Sequence, residues 1–352
     1  MSAPKRILVA PLDWGLGHAT RCVPLIRRFR EEGHEVILAC SGNAATFLRS
    51  EFPDLKFLKK KGYGIRYSLH IPMSLMMVLQ APKILYSIYR EHQWLKKIQK
   101  QFQPDEVVSD NCYGLWNKNM RSIFMTHQLM IKCPSGLKWM EPILHRVVRW
   151  FVSRYDECWI PDVADSYNLS GDLSHKYSLP KNTKFIGSMS RFVYSKNDTT
   201  TKFDLCILLS GPEPQRTALE EECLEALKTF NGKAILIKGK PGSKESSAGN
   251  EKLRIVSHLE SDELQSVLLQ SERIICRSGY STVMDLFELK KGALLIPTRG
   301  QTEQEYLAVY LDGKFGFKTL QKNERISDWI KSIPVKTEHE NVKKAEALIS
   351  VY

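Results

Sequence analysis

Two stretches of the chain share one pattern, in which a continuous apolar run is followed by a glycine-containing turn and then by helical spacing. Residues 6–11 (RILVAP) precede the loop at 14–18 (WGLGH), and residues 204–209 (DLCILL) precede Ser210 and Gly211. Uninterrupted apolar strands are typical of parallel sheets that helices cover on both faces. The pattern therefore predicts two α/β units, each of which begins with a strand and a helix.

Shorter apolar runs continue the alternation of strands and helices in both units. The helix after the first glycine loop is predicted at residues 21–32, with Pro24 in its first turn, where proline is tolerated. The expected fold class is α/β, with two doubly wound Rossmann-like domains that face each other across a cleft. Further strands are predicted at residues 35–39, 106–109, 122–125, 157–160, 233–237, 254–257, 273–276 and 293–296.

The chain of 352 residues is long enough for two domains with separate cores. We expect the first domain at residues 1–190 and the second at residues 200–337, joined by the polar stretch at 188–202. A C-terminal helix at about residues 338–352 is expected to pack back on the first domain.

Composition and charge limit the classes of function. The hydrophobic content of 43% and charged content of 26% are ordinary for a globular protein, whereas the net charge of +12 fits phosphorylated substrates, an anionic membrane surface or nucleic acid. The eight cysteines are scattered singly, which indicates neither a disulfide framework nor a zinc site. No apolar run has the roughly 18 residues of a membrane span, and the first is too short for a signal peptide, so we expect a cytoplasmic protein.

The segment after residues 273–276 has the features of a phosphate site. This apolar run ends in a turn at Ser278 and Gly279, and a helix is predicted to begin near Ser281. The start of a helix offers free backbone N–H groups and the positive end of the helix dipole, which suit a phosphate. Asp285 lies one turn inside this helix, where its carboxylate could reach a ribose diol.

Glu303 and Gln304 follow the next predicted strand, in a position to bind sugar hydroxyls. Diphosphate, ribose and sugar together outline a nucleotide-sugar site. The sequence has no D-x-D pair that would carry Mg²⁺ on a diphosphate. We therefore expect a metal-independent site, in which helix dipoles and arginine replace the cation, and no cofactor.

The first glycine loop places Gly15, Gly17 and His18 directly after the first strand. A histidine at this edge of the sheet could act as general base on an acceptor hydroxyl, because its pKa is near working pH. The alternative is a tight turn with a solvated or capping histidine. The spacing fits neither a dinucleotide fingerprint nor a phosphate loop of the Walker type.

The second glycine loop reads SGPEPQR, from Ser210 to Arg216. The amide of Gly211 and the guanidinium of Arg216 could hold a phosphate. The alternative is a rigid proline-rich turn, since its two prolines remove two N–H donors.

Polar residues follow two further predicted strands of the first unit. Residues at such positions face the crevice in open α/β sheets, so they are candidates for binding the acceptor or orienting His18, with helix caps and turns as the alternative. With the first glycine loop, the candidate acceptor residues are Gly15, Gly17, Arg21, Asp110, Asn111 and His127, and Thr126 has a similar position.

Two segments of the first unit are apolar, aromatic and basic. One is residues 69–79 with the helix that follows, and the other is residues 137–154, where Trp139 and Trp150 alternate with lysine and arginine. Such helices either bind an anionic lipid surface or contribute an ordinary core stripe with a solvated basic face.

The motifs WGLGHATR (residues 14–21) and RSGYSTVMD…TRGQTEQ (residues 277–304) resemble those of GT-B fold glycosyltransferases, in particular the MurG-like family and its UDP-glucuronosyltransferase relatives. The resemblance covers most of the chain in layout and implies an acceptor-binding first domain and a UDP-sugar-binding second domain. It also implies a ribose contact for Asp285, sugar contacts for Glu303 and Gln304, and a uracil contact for the backbone near His258. The residues implied to line the diphosphate are Ser278, Gly279, Tyr280, Ser281 and Thr282.

The resemblance implies an inverting transfer in which His18 takes the acceptor proton and Arg216 or Arg277 stabilises the departing diphosphate. The first loop lacks the Gly-Gly pair that precedes the histidine in the peptidoglycan enzyme, so we expect a different acceptor, which the basic segments suggest is lipid-linked. A nucleotide-sugar hydrolase shares the GxGHxxR form, and it remains an alternative together with a non-catalytic UDP-sugar-binding protein. A nucleic-acid partner is not expected.

Overall fold

The computed structural model describes residues 3–65, 73–194, 201–242, 248–321 and 323–333. Within them the chain forms two sheets of seven strands, one from each half of the sequence, and helices flank both. The fold class predicted from the sequence, two doubly wound α/β domains, is confirmed. The predicted C-terminal helix at 338–352 lies outside the described residues.

The first sheet is entirely parallel, with strand order β3-β2-β1-β4-β5-β6-β7. The order reverses between β1 and β4, so the segments after these two strands open on one crevice. The strands are β1 (Arg6–Pro11), β2 (Glu35–Cys40), β3 (Lys56–Lys59), β4 (Glu106–Asp110), β5 (Arg121–Met125), β6 (Glu157–Ile160) and β7 (Thr183–Phe185). The helices are α1 (Leu16–Glu31), α2 (Gly42–Glu51), α3 (Met73–Phe102), α4 (Glu141–Val152), which a 3₁₀ turn (Ser135–Met140) precedes, and α5 (Asp172–His175).

The second sheet repeats this plan, with order β10-β11-β9-β8-β12-β13-β14 and a single antiparallel pair, β10 with β11. Its order reverses between β8 and β12, which opens the segments after those strands on a second crevice. The strands are β8 (Phe203–Leu208), β9 (Ala234–Ile237), β10 (Ala248–Gly249), β11 (Leu253–Val256), β12 (Ser271–Cys276), β13 (Leu294–Leu295) and β14 (Lys318–Thr319). The helices are α6 (Gln215–Leu227), α7 (Ser261–Leu269), α8 (Tyr280–Glu288), α9 (Thr302–Leu311) and α10 (Ile326–Lys331).

The start of α1 corrects one prediction from the sequence. The helix begins at Leu16 rather than at residue 21, so Pro24 lies in its interior and not in its first turn. Gly15 has φ +90°, a value that favours glycine, and this residue turns the chain from β1 directly into the helix. Because α1 includes both His18 and Arg21, their spacing of three residues places the two side chains on the same helix face.

The two domains are joined by direct contacts across the crevice. Ser261 of α7 donates its backbone N–H and its hydroxyl to Glu51 of α2, at 3.1 and 2.5 Å. Met189, in the segment that links β7 to β8, packs against the cores of both domains. These contacts bring the carboxyl ends of the two sheets towards each other.

Candidate active site

The first turns of α1 and α8 lie against each other. The hydroxyl of Ser281 donates to the carbonyl of Gly17 at 2.7 Å, and a Cβ on Gly17 would lie 3.1 Å from that hydroxyl oxygen. Only glycine therefore allows this close approach without displacing Ser281. Each helix start offers free N–H groups and a positive dipole end, so their convergence makes this part of the crevice favourable for an anion.

His18, Arg21 and Asp110 form a hydrogen-bonded cluster at the carboxyl edge of the first sheet. Arg21 donates from Nε to Asp110 Oδ2 at 2.7 Å and from Nη2 to Asp110 Oδ1, and His18 Nδ1 lies 3.3 Å from that Oδ1. The side chains of Arg21 and Asp110 are buried, while that of His18 is 15% exposed. Burial alone would raise the pKa of Asp110, but Arg21 and His18 lower it to about 2.

His127 extends this cluster across the crevice to the second domain. Its Nε2 lies 2.9 Å from Glu303 Oε1, its Nδ1 lies 2.9 Å from Arg21 Nη1, and its ring stacks on Tyr280 at 4.0 Å. Burial lowers the pKa of His127 below its usual value, against the opposing effect of Glu303. Burial would raise the pKa of Glu303, but His127, His18 and Arg21 hold it below its usual value.

The structure thus brings together residues that the sequence placed at four separate loops. The side chains of Arg21, Asp110 and His127 are at most 4% exposed, so the exposed surface of this group of residues belongs to His18, at 15%, and Glu303, at 21%. Asn111 has φ +55° directly after β4, and Thr126 Oγ1 accepts a bond from the N–H of Gln128, so both residues lie in backbone turns.

Gln304 and Ser278 hold the β12–α8 turn against α9. Ser278 donates to the carbonyl of Gln304 at 2.8 Å, and Gln304 Oε1 accepts the N–H of Thr298 at 3.0 Å. Both side chains are buried, and Gln304 Nε2 lies 3.8 Å from the position of a Cβ on Gly279. This turn precedes Tyr280 and Thr282 in the first turn of α8.

The carboxylate of Asp285 is engaged by the segment that links the two domains. It accepts bonds from Ser190 Oγ at 2.8 Å and from the backbone N and Nε of Arg191 at 3.3 and 3.2 Å. Burial raises the pKa of Asp285, and Arg191 opposes that effect. These three bonds leave about one lone-pair site on the carboxylate, so a ribose diol that donated both of its hydroxyls would have to replace one of these donors.

The two arginines expected at the phosphates have different surroundings. Arg216 is 3% exposed and donates to Glu213, Glu220 and Thr217 at 2.6–2.7 Å, which makes it part of the scaffold of α6. Arg277 donates from Nη1 and Nη2 to the carbonyls of Pro297 and Gln215, at 3.1 and 2.9 Å. Burial lowers the pKa of Arg277 to about 10.

A buried polar corner beside Gly211 combines the predicted Arg277 with Thr298, which the sequence interpretation did not include. Arg277 Nε and Thr298 Oγ1 are both buried and have no hydrogen-bond partner among the described residues. They lie 4.0 and 3.5 Å from the position that a Cβ on Gly211 would take. Since buried donors are normally paired, this corner suits an anionic oxygen. In the sequence, Thr298 is the first polar residue after β13 and the first residue of the TRGQTEQ stretch.

His258 follows β11 and is half-buried, with its ring edge-on to Phe47 at 5.9 Å. Its Nε2 is buried and has no partner within the described part of the chain, and burial lowers its pKa. In the same described residues no group of three or more His, Cys, Asp or Glu side chains could hold a metal ion.

A second functional candidate is an exposed surface of the first domain. Large apolar side chains are exposed here on two segments. In the segment of residues 139–150 they are 46–67% exposed: Trp139, Ile143, Val147 and Trp150. On α3 they are 58–64% exposed: Leu79, Leu85, Tyr86 and Tyr89. Arg154 lies over the rings of Trp150 and Trp116, and Trp116 contacts His92 of α3, so the two sets are connected. We call this surface the aromatic–basic face. No described helix is long and apolar enough to cross a membrane.

The lowered pKa of His127 predicts a pH dependence of folding stability. Because the folded protein holds this ring neutral, its contribution to stability is complete above about pH 6.5, the usual value in the unfolded chain, and is lost as the pH falls through the lowered value. We expect the urea midpoint to fall between about pH 7 and 5 and to fall less in His127→Gln. Part of the fall remains in the variant because burial also lowers the pKa of His92 and His258. If the urea midpoints of wild type and His127→Gln depended equally on pH, His127 would not be a source of this pH dependence.

Two doubly wound domains that face each other across a shared crevice are the architecture of the GT-B fold. Residues 215–348 match the glycosyltransferase family 28 C-terminal domain. The chain is similar to an uncharacterized glycosyltransferase of Methanosarcina acetivorans, with 22% identity over 87% of this chain and 83% of that protein.

Solved structures agree with this class. The glycotransferase of kitacinnamycin superposes with a TM-score of 0.61 and 13% identity, over 95% of this chain and 90% of that chain. UGT89C1 of Arabidopsis thaliana, complexed with UDP-L-rhamnose, superposes with a TM-score of 0.56 and 14% identity, over 98% of this chain and 93% of that chain. At these identities the structures establish the fold, and with the family match they support a glycosyltransferase of this type.

Proposed function

We propose that the protein transfers a hexosyl or N-acetylhexosaminyl group from a UDP-sugar to an acceptor hydroxyl, with inversion and without a metal ion. The observation that carries the proposal is the cluster of His18, Asp110, Arg21, His127 and Glu303, which joins the first domain to the expected sugar site of the second. A nucleoside diphosphate is supported by the similarity to structures complexed with UDP-L-rhamnose or with thymidine diphosphate, and the resemblance of the motifs is the ground for proposing UDP.

His18 is the proposed general base. Its Nδ1 is turned towards Asp110 and Arg21, which leaves Nε2 for the acceptor hydroxyl. As the hydroxyl oxygen forms its bond to the anomeric carbon, the bond from that carbon to the diphosphate oxygen breaks on the opposite face. The hydroxyl proton passes to His18, and UDP departs with the bonding electron pair.

The departing diphosphate is proposed to bind at the start of α8, between its free N–H groups and the corner of Gly211, Arg277 and Thr298. Neither unpaired group there has another partner in the described residues, and the helix dipole adds positive potential. Preorganised donors of this kind each contribute about 3–4 kcal/mol to catalysis in other enzymes, so a cation is not required in principle. Glu303 and Gln304 are the proposed sugar contacts.

The acceptor is proposed to be lipid-linked and to enter through a cavity of about 440 Å³ at the domain junction. Its walls include Lys132, Lys138 and Lys176 of the first domain and Thr302 of the second, the residue before Glu303. Lys138 also precedes Trp139 of the aromatic–basic face. The cavity wall is therefore adjacent in sequence to that face and to Glu303, which suits an amphiphilic acceptor. Because Lys132 and Lys176 pair with Asp172 and Glu141, Lys138 is the proposed contact for an anionic group of the acceptor.

The aromatic–basic face is proposed to bind the inner face of the plasma membrane as a peripheral contact, in keeping with a role in cell-envelope glycan synthesis. Aromatic side chains in an interfacial position and basic residues next to anionic headgroups both favour such binding.

Trp139→Ala is expected to weaken binding to vesicles of phosphatidylcholine and phosphatidylglycerol by about tenfold, because a large apolar side chain contributes about 1.5–3 kcal/mol on burial. Co-sedimentation at several lipid concentrations measures the change. Tyr167→Ala is the matched control, since Tyr167 is 71% exposed beside Phe315 of the second domain and should leave binding unchanged. Equal binding by wild type and Trp139→Ala would contradict the role of this face, and equally strong binding to vesicles without phosphatidylglycerol would contradict the contribution of its basic residues.

The donor is tested by a thermal-shift screen of UDP-, GDP- and dTDP-sugars, because a ligand that binds the folded state raises stability as its concentration exceeds Kd. We expect a UDP-sugar to raise the melting temperature of the wild-type protein the most. The same UDP-sugar should raise the melting temperature of Thr298→Val by less. Stabilisation by GDP- or dTDP-sugars alone would overturn UDP as the nucleotide. Free sugar released at the rate of UDP would favour a nucleotide-sugar hydrolase, and binding without turnover a non-catalytic protein.

A further inference from the structure

Arg21 is the centre of the catalytic cluster, and it faces two histidines at once. Its Nη2 lies 2.8 Å from His18 Nδ1, and its Nη1 lies 2.9 Å from His127 Nδ1. Its Nε and Nη2 also donate to both oxygens of Asp110. The guanidinium is 2% exposed, so water does not compete for these bonds.

A guanidinium keeps its charge and has only N–H donors, so any atom in hydrogen-bond contact with it must accept. Each Nδ1 that faces Arg21 therefore carries a lone pair, and a neutral ring then carries its proton on Nε2. The geometry of His127 agrees, because its Nε2 points to the carboxylate of Glu303 at 2.9 Å. The competing acceptor for a proton on His18 Nδ1 is Asp110 Oδ1, which is more distant at 3.3 Å and already accepts from Arg21.

We infer that Arg21 is a positioning residue that holds both histidines in the Nε2–H tautomer in the unliganded protein. His18 then presents a donor to the crevice rather than a base. It becomes a base when Arg21 Nη2 leaves Nδ1, since Nδ1 can then carry the proton and donate a hydrogen bond to the ionised Asp110, which leaves Nε2 with the lone pair. The exchange is balanced, because one proton leaves Nε2 for water and one from water reaches Nδ1. The role of His18 as a general base rests on the proposed function, whereas the tautomers follow from the contacts of Arg21 alone.

Nitrogen NMR of the unliganded protein tests this inference without any substrate. Protein labelled with ¹⁵N-histidine is recorded at about pH 8, where an ordinary histidine is neutral, in long-range ¹H–¹⁵N correlation spectra. His18→Asn and His127→Asn assign the two rings among the nine histidines. We expect both rings to show a protonated Nε2 and an unprotonated Nδ1. A wild-type spectrum in which His18 carries its proton on Nδ1 would overturn the inference.

Arg21→Lys assigns the effect to the guanidinium. The ammonium retains the charge next to Asp110 but lacks the fork that reaches His18 as well, so His18 is expected to shift towards the Nδ1–H tautomer. Arg27→Lys on the same helix, where Arg27 contacts Arg191 and Glu51, is the matched control and should change neither ring. A folded Arg21→Lys protein with an unchanged His18 spectrum would refute the role of Arg21. If the variant does not fold, the wild-type spectrum still decides the tautomer. Expected spectra without turnover of any donor would overturn the proposed function and leave the tautomers standing.

Discussion

Replacing His18 with alanine is expected to lower kcat by about 10²–10⁴-fold, the usual contribution of a general base. The reason is that His18 is the partly exposed member of a cluster whose other two members, Arg21 and Asp110, are buried. Removing the ring leaves the acceptor hydroxyl without a proton acceptor on this side of the crevice. The proposed donor site is on the second domain, so the Kd for UDP should change little. Steady-state rates with the donor found in the thermal-shift screen measure kcat, and calorimetry measures UDP binding.

His34→Ala is the control for this prediction. His34 lies next to β2, where its Nδ1 accepts the N–H of Lys5, and its side chain is buried like those of the cluster. The control should lose some stability and retain its kcat. A His18→Ala enzyme whose kcat stays within a few fold of wild type would rule out His18 as the base.

Replacing Asp110 with asparagine is expected to lower the free energy of unfolding by about 3–5 kcal/mol, because the variant leaves the charge of Arg21 buried without its partner. Asparagine keeps the shape of the side chain, so the loss reports charge and hydrogen bonding rather than packing. Both Asp110 oxygens accept from Arg21, and the side chain has no exposed surface. Urea unfolding followed by circular dichroism measures the difference.

Asp54→Asn provides the comparison for an exposed pair. Asp54 accepts from Arg30 at 2.7 Å, and the two side chains are 57% and 42% exposed. Exposed ion pairs contribute about 0–1 kcal/mol, so this variant should unfold almost as wild type does. If Asp110→Asn and Asp54→Asn lost similar amounts of unfolding free energy, the buried pair of Arg21 and Asp110 would contribute no more to stability than an exposed pair. That result would contradict the dependence of Arg21 on Asp110 that the structure indicates.

The fold was predictable where strands are buried on both faces. Such strands, for example β1 and β8, carry long apolar runs that stand out in the sequence. The missed strands lie at the ends of the two sheets and read KFLK, TKF, AG and KT, with too few apolar residues to form a run. The start of α1 was misplaced because a sequence does not show that Gly15 makes the whole turn, which leaves Gly17 inside the helix.

The site was predictable in its positions and not in its contacts. The strand ends carry His18, Asp110 and His127, because the carboxyl edge of a parallel sheet collects such residues. Their connection through Arg21 spans about ninety residues of sequence, and no local pattern encodes it. The engagement of Asp285 by Arg191 depends likewise on the path of the linking segment.

The orientation of α4 also could not be predicted, because two of its stripes are apolar. The stripe with His145, Val148 and Val152 packs on the core, and the stripe with Ile143, Val147 and Trp150 is exposed. Helical spacing identifies both stripes equally and does not say which one a neighbouring element covers.

The central claim is that the crevice moves a sugar from a nucleotide to a lipid-linked hydroxyl. It is tested most directly by incubating the protein with a radiolabelled sugar nucleotide from the screen and a lipid extract in vesicles. The account predicts that label enters the organic phase in step with UDP release, that little free sugar forms, and that His18→Ala abolishes the transfer. Label that appears only as free sugar, or no UDP release from any donor, would contradict it.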